Sequence, residues 1–419
     1  MKHKAEHILA LAVSLLLLGG VSWALGCALM QPVGAASSTH YVAPHGDCHG
    51  AMPCYAALQA AVDAAAPGDE IRVAQGIYTD VRAVTYDLGG WSQTVTQTLF
   101  ISKSLTVRGG YTVTDWAVSQ PLSHPTVINP QGRGRGILIT IPTFQSSITV
   151  TVEGFSITQG YALLDGSGLY AYGANVTISG CRFYSNTGNS IGSGLYLAGT
   201  TATLIGNIVA DSRGAGYGHG VVVDAGYPAQ LVGNRILRNG NGLLIWNNRA
   251  TLINNIIAAN AGDGLSVIGG TVHGWHTTVA DNGRTGIKVI NSGQVSGSLT
   301  LTNTIIAGPG VGVQVGGSPL DASVARLTAT LWHNLTDTQV TEGGRIIQTA
   351  DFEGDPAFVG DGDYHLTAAS PARNRGWPSD VHQDIDGELR DPLPDLGADE
   401  YLDPDSIRSV YLPLVTREQ

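Results

Sequence analysis

The sequence predicts an all-β fold, a right-handed parallel β-helix with a short N-terminal capping helix. Three observations carry that reading. The first is a repeat: seven short apolar alternations open on Gly168, Gly194, Gly220, Gly242, Gly264, Gly286 and Gly312, spaced 26, 26, 22, 22, 22 and 26 residues apart. A fixed period of this size marks a solenoid, and about 22 residues at ~3.3 Å each supply one turn of three short strands. The second is a pair of columns that travel with the glycines. One runs Phe155, Cys181, Asn207, Asn234, Asn255, Thr277, Asn303, each followed two residues on by an apolar side chain; the other runs Gly160, Asn186, Ser212, Asn239, Asn260, Asn282, Gly308. A buried amide must pair its donors and its acceptor. Stacked at one bend, each amide bonds the coil above and the coil below, as in cross-β amide ladders. The third is composition: 56 glycines in 419 residues and only 13% charged side chains suit stacked strands. A β-sandwich or propeller of similar composition does not account for matched columns over seven repeats.

In chain order, two lysines precede an apolar run from Ile8 to Met30, and small residues follow at Val33–Ala36. Residues 1–36 therefore read as a secretory signal peptide. An uncleaved anchor, or lipid on Cys27 in Ala24-Leu-Gly-Cys27, is the alternative. Residues 37–350 are assigned to the β-helix and its cap, with regular coils over about 148–316, and residues 351–419 to an acidic closing segment. His40-Tyr-Val-Ala reads as the first strand. Cys48 and Cys54 lie six apart, a small disulfide loop in an exported chain. His45 and His49 beside them match no standard zinc spacing.

The alanine-rich stretch Cys54 to Ala66 is predicted helical and is stopped by Pro67-Gly68. Laid over the first coil, it seals the open end of the stack. Glu70–Ala74, Gly76–Tyr78 and the run Thr98 to Tyr111 read as strands. Val81 to Gln97, with Trp91, reads as an excursion. Ile137–Ile141 and Ile148–Val152 lead into the regular coils.

The N-terminal helix followed by Pro67-Gly-Asp-Glu-Ile-Arg-Val-Ala-Gln-Gly-Ile-Tyr78, with the Asn/Gly coils, resembles the pectate-lyase-type right-handed β-helix superfamily. The resemblance covers most of the mature chain and is specific for fold; that fold hosts lyases, hydrolases, epimerases and inert surface proteins. Asp384-Ile-Asp-Gly-Glu-Leu-Arg390 and Pro394-Asp-Leu-Gly-Ala-Asp-Glu-Tyr401 resemble the close of secreted bacterial β-helix proteins of the choice-of-anchor type. Arg373-Asn-Arg-Gly departs from that pattern, and Leu412-Pro-Leu-Val-Thr is not a cell-wall sorting pentapeptide.

The net charge of −11 is uneven. Residues 351–419 hold 16 of the 33 acids and 5 of the 22 bases, so the remainder balances at 17 against 17. No basic patch exists to neutralise phosphates, so nucleic acid is not an expected partner. Extracellular polysaccharide or cell-surface glycan is, with the protein secreted or on the cell surface, monomeric, and with no membrane contact beyond the signal segment.

Coil length locates the candidate site. From the amide column to the strand-opening glycine the distances are 8, 8, 8, 3, 4, 4 and 4. Three successive coils thus carry the same enlargement at one corner, over Tyr161–Ser167, Thr187–Ser193 and Arg213–His219. Beside it the outward strand positions hold Tyr170, Tyr172, Tyr196, Asp224 and Trp246. Aromatic rings next to polar groups such as Asn189 and Tyr217 suit a sugar chain, because ring faces stack and polar groups bond hydroxyls. Tolerated surface loops with packed aromatics are the plainer reading.

Catalysis would need two carboxyls roughly 5 to 9.5 Å apart. Between residues 160 and 315 there are five acids, Asp165, Asp211, Asp224, Asp263 and Asp281, and no two fall in neighbouring columns of adjacent coils. Asp211 aligns with Arg238, an ion pair. The catalytic candidates are Arg213 or His219 as base with Asp165 and Asp224 nearby. His273 and His276, three apart on a strand, point apart. No cofactor or metal site is expected; the acidic turns Asp361-Gly-Asp and Asp384-Ile-Asp-Gly-Glu would admit calcium but complete no calcium loop. The expected function is non-catalytic glycan binding; a polysaccharide lyase or hydrolase, and a purely structural adhesion protein, are the alternatives.

Overall fold

The structure, a computed structural model, describes residues 37–87, 92–141, 147–163, 165–189, 191–214, 218–318 and 320–403. Each coil contributes three short strands to three faces, and each strand pairs in parallel with the strand one coil on. The first face stacks Thr149–Glu153, Asn175–Ser179, Thr201–Ile205, Ala229–Val232, Arg249–Ile253 and Thr271–Trp275. The second stacks Phe155–Thr158, Arg182–Tyr184, Ile208–Ala210, Arg235–Leu237, Ile256–Ala258 and Thr278–Ala280. The third stacks Leu169–Tyr172, Gly192–Ala198, His219–Asp224, Asn241–Trp246, Leu265–Ile268 and Thr285–Ile290. Alternate side chains point inward, so Ile157, Phe183, Val209, Ile236, Ile257 and Val279 form one buried file.

Two amide ladders run through this interior. The amide of Asn239 donates to Asn260 Oδ1 (2.9 Å), and that of Asn260 to Asn282 Oδ1 (3.1 Å). Each Nδ2 donates to a carbonyl of the preceding coil, Val209 for Asn239 and Ile236 for Asn260. Asn207, Asn234 and Asn255 repeat the arrangement at the other bend. Both ladders follow a left-handed residue. Ser185, Asp211, Arg238, Ala259 and Asp281, one before each member of the first column, all have φ between 53° and 55°.

The strand-opening glycines have a different reason. Their φ is ordinary, but a Cβ on Gly194 would lie 2.2 Å from the Gly220 carbonyl oxygen, and one on Gly242 2.3 Å from that of Gly264. Close approach of neighbouring coils excludes a side chain there. The columns hold for six coils and slip in the seventh. Val279 pairs with Ile306, not Ile305, because Asn303 occupies the left-handed bend itself (φ 56°). The long strands Ser298–Val315, Ser323–Val340 and Gly344–Glu353 complete the stack.

At the N-terminal end the helix is shorter than expected, Leu58–Ala64. Cys54 and Tyr55 instead pair with Tyr41 and Val42, and Cys48 and Cys54 form the disulfide. Gln59 fixes the helix over the first coil, its Nε2 donating to the Phe100 carbonyl and its Oε1 accepting the Phe100 amide. The excursion is a β-hairpin, Arg82–Asp87 against Ser92–Ile101. Trp91, the signal segment and Leu412-Pro-Leu-Val-Thr lie outside the described residues.

Over its described residues, to 403, the acidic segment runs back along the second face as a strap. Trp377 donates its amide to Asn303 Oδ1, Ala398 to Thr278 Oγ1, and Asp386 pairs with Arg235. Tyr364 and Ala398 pack on Ile256, Ala258 and Ala280. Arg390 anchors it: Nη1 pairs with Glu400 Oε2 at 3.0 Å, both side chains 2% exposed, and Nη2 donates to Asn254 Oδ1.

Candidate functional site

The three enlarged corners stack as expected. Tyr161–Ala162, Thr187–Gly188 and Arg213–Gly214 form an extra three-stranded parallel sheet beside the main stack, with Tyr161, Thr187 and Arg213 in one register. From the second enlargement, Ile191 folds over the outward side of the third face. Ile191 packs on the cluster of Tyr196, Ala198, Val222 and Leu244, together with half-buried Tyr170, Tyr172 and Trp246. Tyr196 is 7% exposed. Its ring stacks on Tyr170 at 5.6 Å, and its hydroxyl donates to Asp224 Oδ2 at 2.9 Å. Arg135 lies over the Tyr170 ring, 5.4 Å from its centroid. The Tyr196 ring is therefore covered, and Tyr170, half-buried, is in contact with Tyr196 and Arg135.

Three of the four catalytic candidates are engaged in hydrogen bonds within the fold. Asp165 Oδ1 accepts the Ile191 amide (3.0 Å), and the Ile191 carbonyl accepts from His219 Nδ1 (3.3 Å), so both serve to pin the corner loop. Burial lowers the pKa of His219 to about 4, which keeps the ring neutral at pH 7. Asp224 is engaged by Tyr196. Arg213 is exposed and lines a cleft that includes none of the other three. Asp211 and Arg238 form the expected pair, bidentate at 2.9 and 3.0 Å. His273 is exposed, whereas His276 is buried and its Nε2 faces Ser379 Oγ of the strap. Asn189 is exposed on the corner; Tyr217 lies outside the described residues.

Open space lies instead at the two axial ends of the corner stack. Where the enlargement stops, Arg213 and Arg284 flank a cleft of about 280 Å³ lined between them by Gly214, Gly218, Gly240 and Gly262. The glycines come from three successive coils, and Asn239, Asn241 and Ala261 complete the lining. Where the enlargement starts, Arg133, Arg135 and Tyr161 face the hairpin residues 93–96 across a cleft of about 470 Å³. Among the described residues neither cleft is lined by a carboxylate. Arg133 donates to the carbonyls of Thr79 and Pro130 and to Gln131, and to no acid among the described residues. The second cleft escaped the sequence reading because its far wall is the hairpin, which obeys no coil period. Extending the column arithmetic one coil back, to Arg133–Arg135 beside Tyr161, would have found its near wall.

A family model for a right-handed β-helix region matches residues 139–276 and 167–328. No curated protein matches the sequence significantly. Among solved structures, pectate lyase Pel9A is 14% identical, with 88% of this chain and 98% of that chain covered and a TM-score of 0.50. The periplasmic alginate epimerase AlgG is 14% identical, with 68% of this chain and 77% of that chain covered and a TM-score of 0.40. The match over the regular coils and the likeness to Pel9A over nearly its whole length identify the fold of this chain as a right-handed parallel β-helix.

Proposed function

We propose that this is an exported, non-catalytic protein that binds acidic polysaccharide along the edge formed by the enlarged corners. The observation that carries the proposal is the pair of arginine-lined clefts, free of carboxylates among the described residues, on a chain of net charge −11. Guanidinium forks match carboxylate or sulfate groups, and a glycine-rich floor admits a sugar backbone closely. Arg213 is three coils from Arg284 and the same number from the Arg133 coil, ~14 Å each way at ~4.8 Å per coil. That spacing suits an extended polymer lying along the solenoid axis, with Tyr161 and Asn189 between the cations. The fold likeness to a pectate lyase agrees with a polysaccharide partner but does not require turnover. Against catalysis stand carboxyls engaged in structural hydrogen bonds and the buried, neutral His219.

Calorimetry with polygalacturonate, alginate and a neutral glucan tests this. Binding of an acidic polymer is expected, weakened by salt and about tenfold or more weaker in Arg213→Ala/Arg284→Ala, with no new chain ends released. Equal binding of the neutral glucan would overturn the arginine reading. Release of unsaturated or reducing ends, lost in Arg213→Ala, would make the protein an enzyme.

A further inference from the structure

The strap gathers His365, Asp386 and Asp399 from three separate stretches, with one donor atom of each within 4.8 Å of the others. His365 Nδ1 is bonded to the Asp363 carboxylate. That bond holds the Nδ1 proton and aims Nε2 at the other two acids, 2.5 Å from Asp386 Oδ2 and 4.0 Å from Asp399 Oδ1. The Asp399 side chain is 6% exposed. Its Oδ2 accepts the Leu366 amide at 2.7 Å, while Oδ1 lies 4.0 Å from the imidazole Nε2. A carboxylate buried to this degree needs a positive partner beside it. With the Nε2 proton removed, one imidazole nitrogen and two carboxylate oxygens converge on one point, where a metal cation would take that proton's place.

We propose that His365 Nε2, Asp386 and Asp399 bind a divalent transition metal of the zinc class, with Asp363 as the carboxylate that orients the imidazole. One imidazole with two carboxylates suits zinc better than calcium, which takes six or more oxygens. A carboxylate on the far ring nitrogen is the usual support of a metal-bound histidine. Tetrahedral ligands at 2.0–2.1 Å lie about 3.3 Å apart, between the two separations present, so shifts under about 1 Å complete the triangle. Asp384 accepts the amides of Asp386, Glu388 and Glu400, which fixes the turn carrying Asp386. Arg235 occupies Asp386 Oδ1 at 2.8 Å and leaves Oδ2 for the ion. The ion would clasp three parts of the strap together over the coil that carries Arg235.

Chelator-treated full-length protein titrated with zinc, manganese or calcium ions provides the test. Zinc is expected to bind at one per chain and raise the melting temperature, with no response to calcium. Cobalt in its place is expected to give the intense visible absorption of a tetrahedral site. Asp399→Asn, which keeps the acceptor for the Leu366 amide, is expected to weaken zinc binding at least tenfold. Absence of stoichiometric zinc binding, or wild-type binding by Asp399→Asn, would overturn the proposal and leave a protonated imidazole between the acids. Binding that disappears instead in His45→Gln/His49→Gln would place the ion at the N-terminal loop and overturn it equally.

Discussion

The coil stack and the C-terminal strap lie against each other but are held by different physics. In the stack the bonds repeat: apolar files fill the interior, and each rung of the Asn239–Asn260–Asn282 ladder is made by the same two contacts. In the strap nothing repeats, and residues 364–401 are fastened by single polar contacts such as Arg390–Glu400 and Asp386–Arg235. A repeating scaffold spreads the consequence of a lost contact over its neighbours. A segment hung on a few buried charges concentrates it.

The sharpest way to break this contrast is Arg390→Ala. Removing one partner of a buried ion pair costs about 3–5 kcal/mol, and Arg390 also satisfies Asn254 and the carbonyls of Gly397 and Ala398. The strap is expected to release while the stack stays folded: early proteolysis after about residue 354, with the far-ultraviolet strand signal retained. Loss of the whole strand signal would show that stack and strap are one cooperative unit.

Asn260→Ala tests the other side. It leaves the Asn239 amide and the Ile236 carbonyl of the interior without their partner, at roughly 1–3 kcal/mol for each group. The main unfolding transition is expected to fall with no change in strap proteolysis. An unchanged transition would mean that apolar burial alone sets the stability of the stack.

The smallest effect is in pH. Buried His219 has a folded pKa of about 4 against 6.5 for the free side chain. Above 6.5 its contribution is fully present; as pH falls from 6.5 through 4 the unfolded chain takes up a proton that the folded one does not, and stability is lost, by at most about 3 kcal/mol. In His219→Gln this part of the acid slope is expected to vanish, which melting temperatures between pH 7 and 4 would measure. His276, lowered to about 3 by burial, adds the same sign at the strap contact.

Much of this molecule was legible because a period converts sequence distance into spatial contact. The amide columns, the Asp211–Arg238 pair and the stacked corner all follow from counting residues. The count failed where one residue changed conformation: Asn303 took the left-handed bend and displaced the seventh repeat by one. It also failed for the aromatic strip. The counting placed Tyr170 and Tyr196 side by side on the outside, but not the corner loop and Ile191 that fold over the strand and bury Tyr196.

By itself the sequence determined the solenoid, its three-strand coil, the interior ladders and the corner where extra chain accumulates, because each is a nearest-neighbour relation repeated at fixed spacing. Tertiary structure decided what those relations cannot encode. It laid the acidic segment along the second face, brought His365, Asp386 and Asp399 to one point, and opened clefts at the ends of the enlarged corner instead of across it. Each of these depends on contacts between segments that share no period, where the direction of a folded-back chain is set by packing and buried charge.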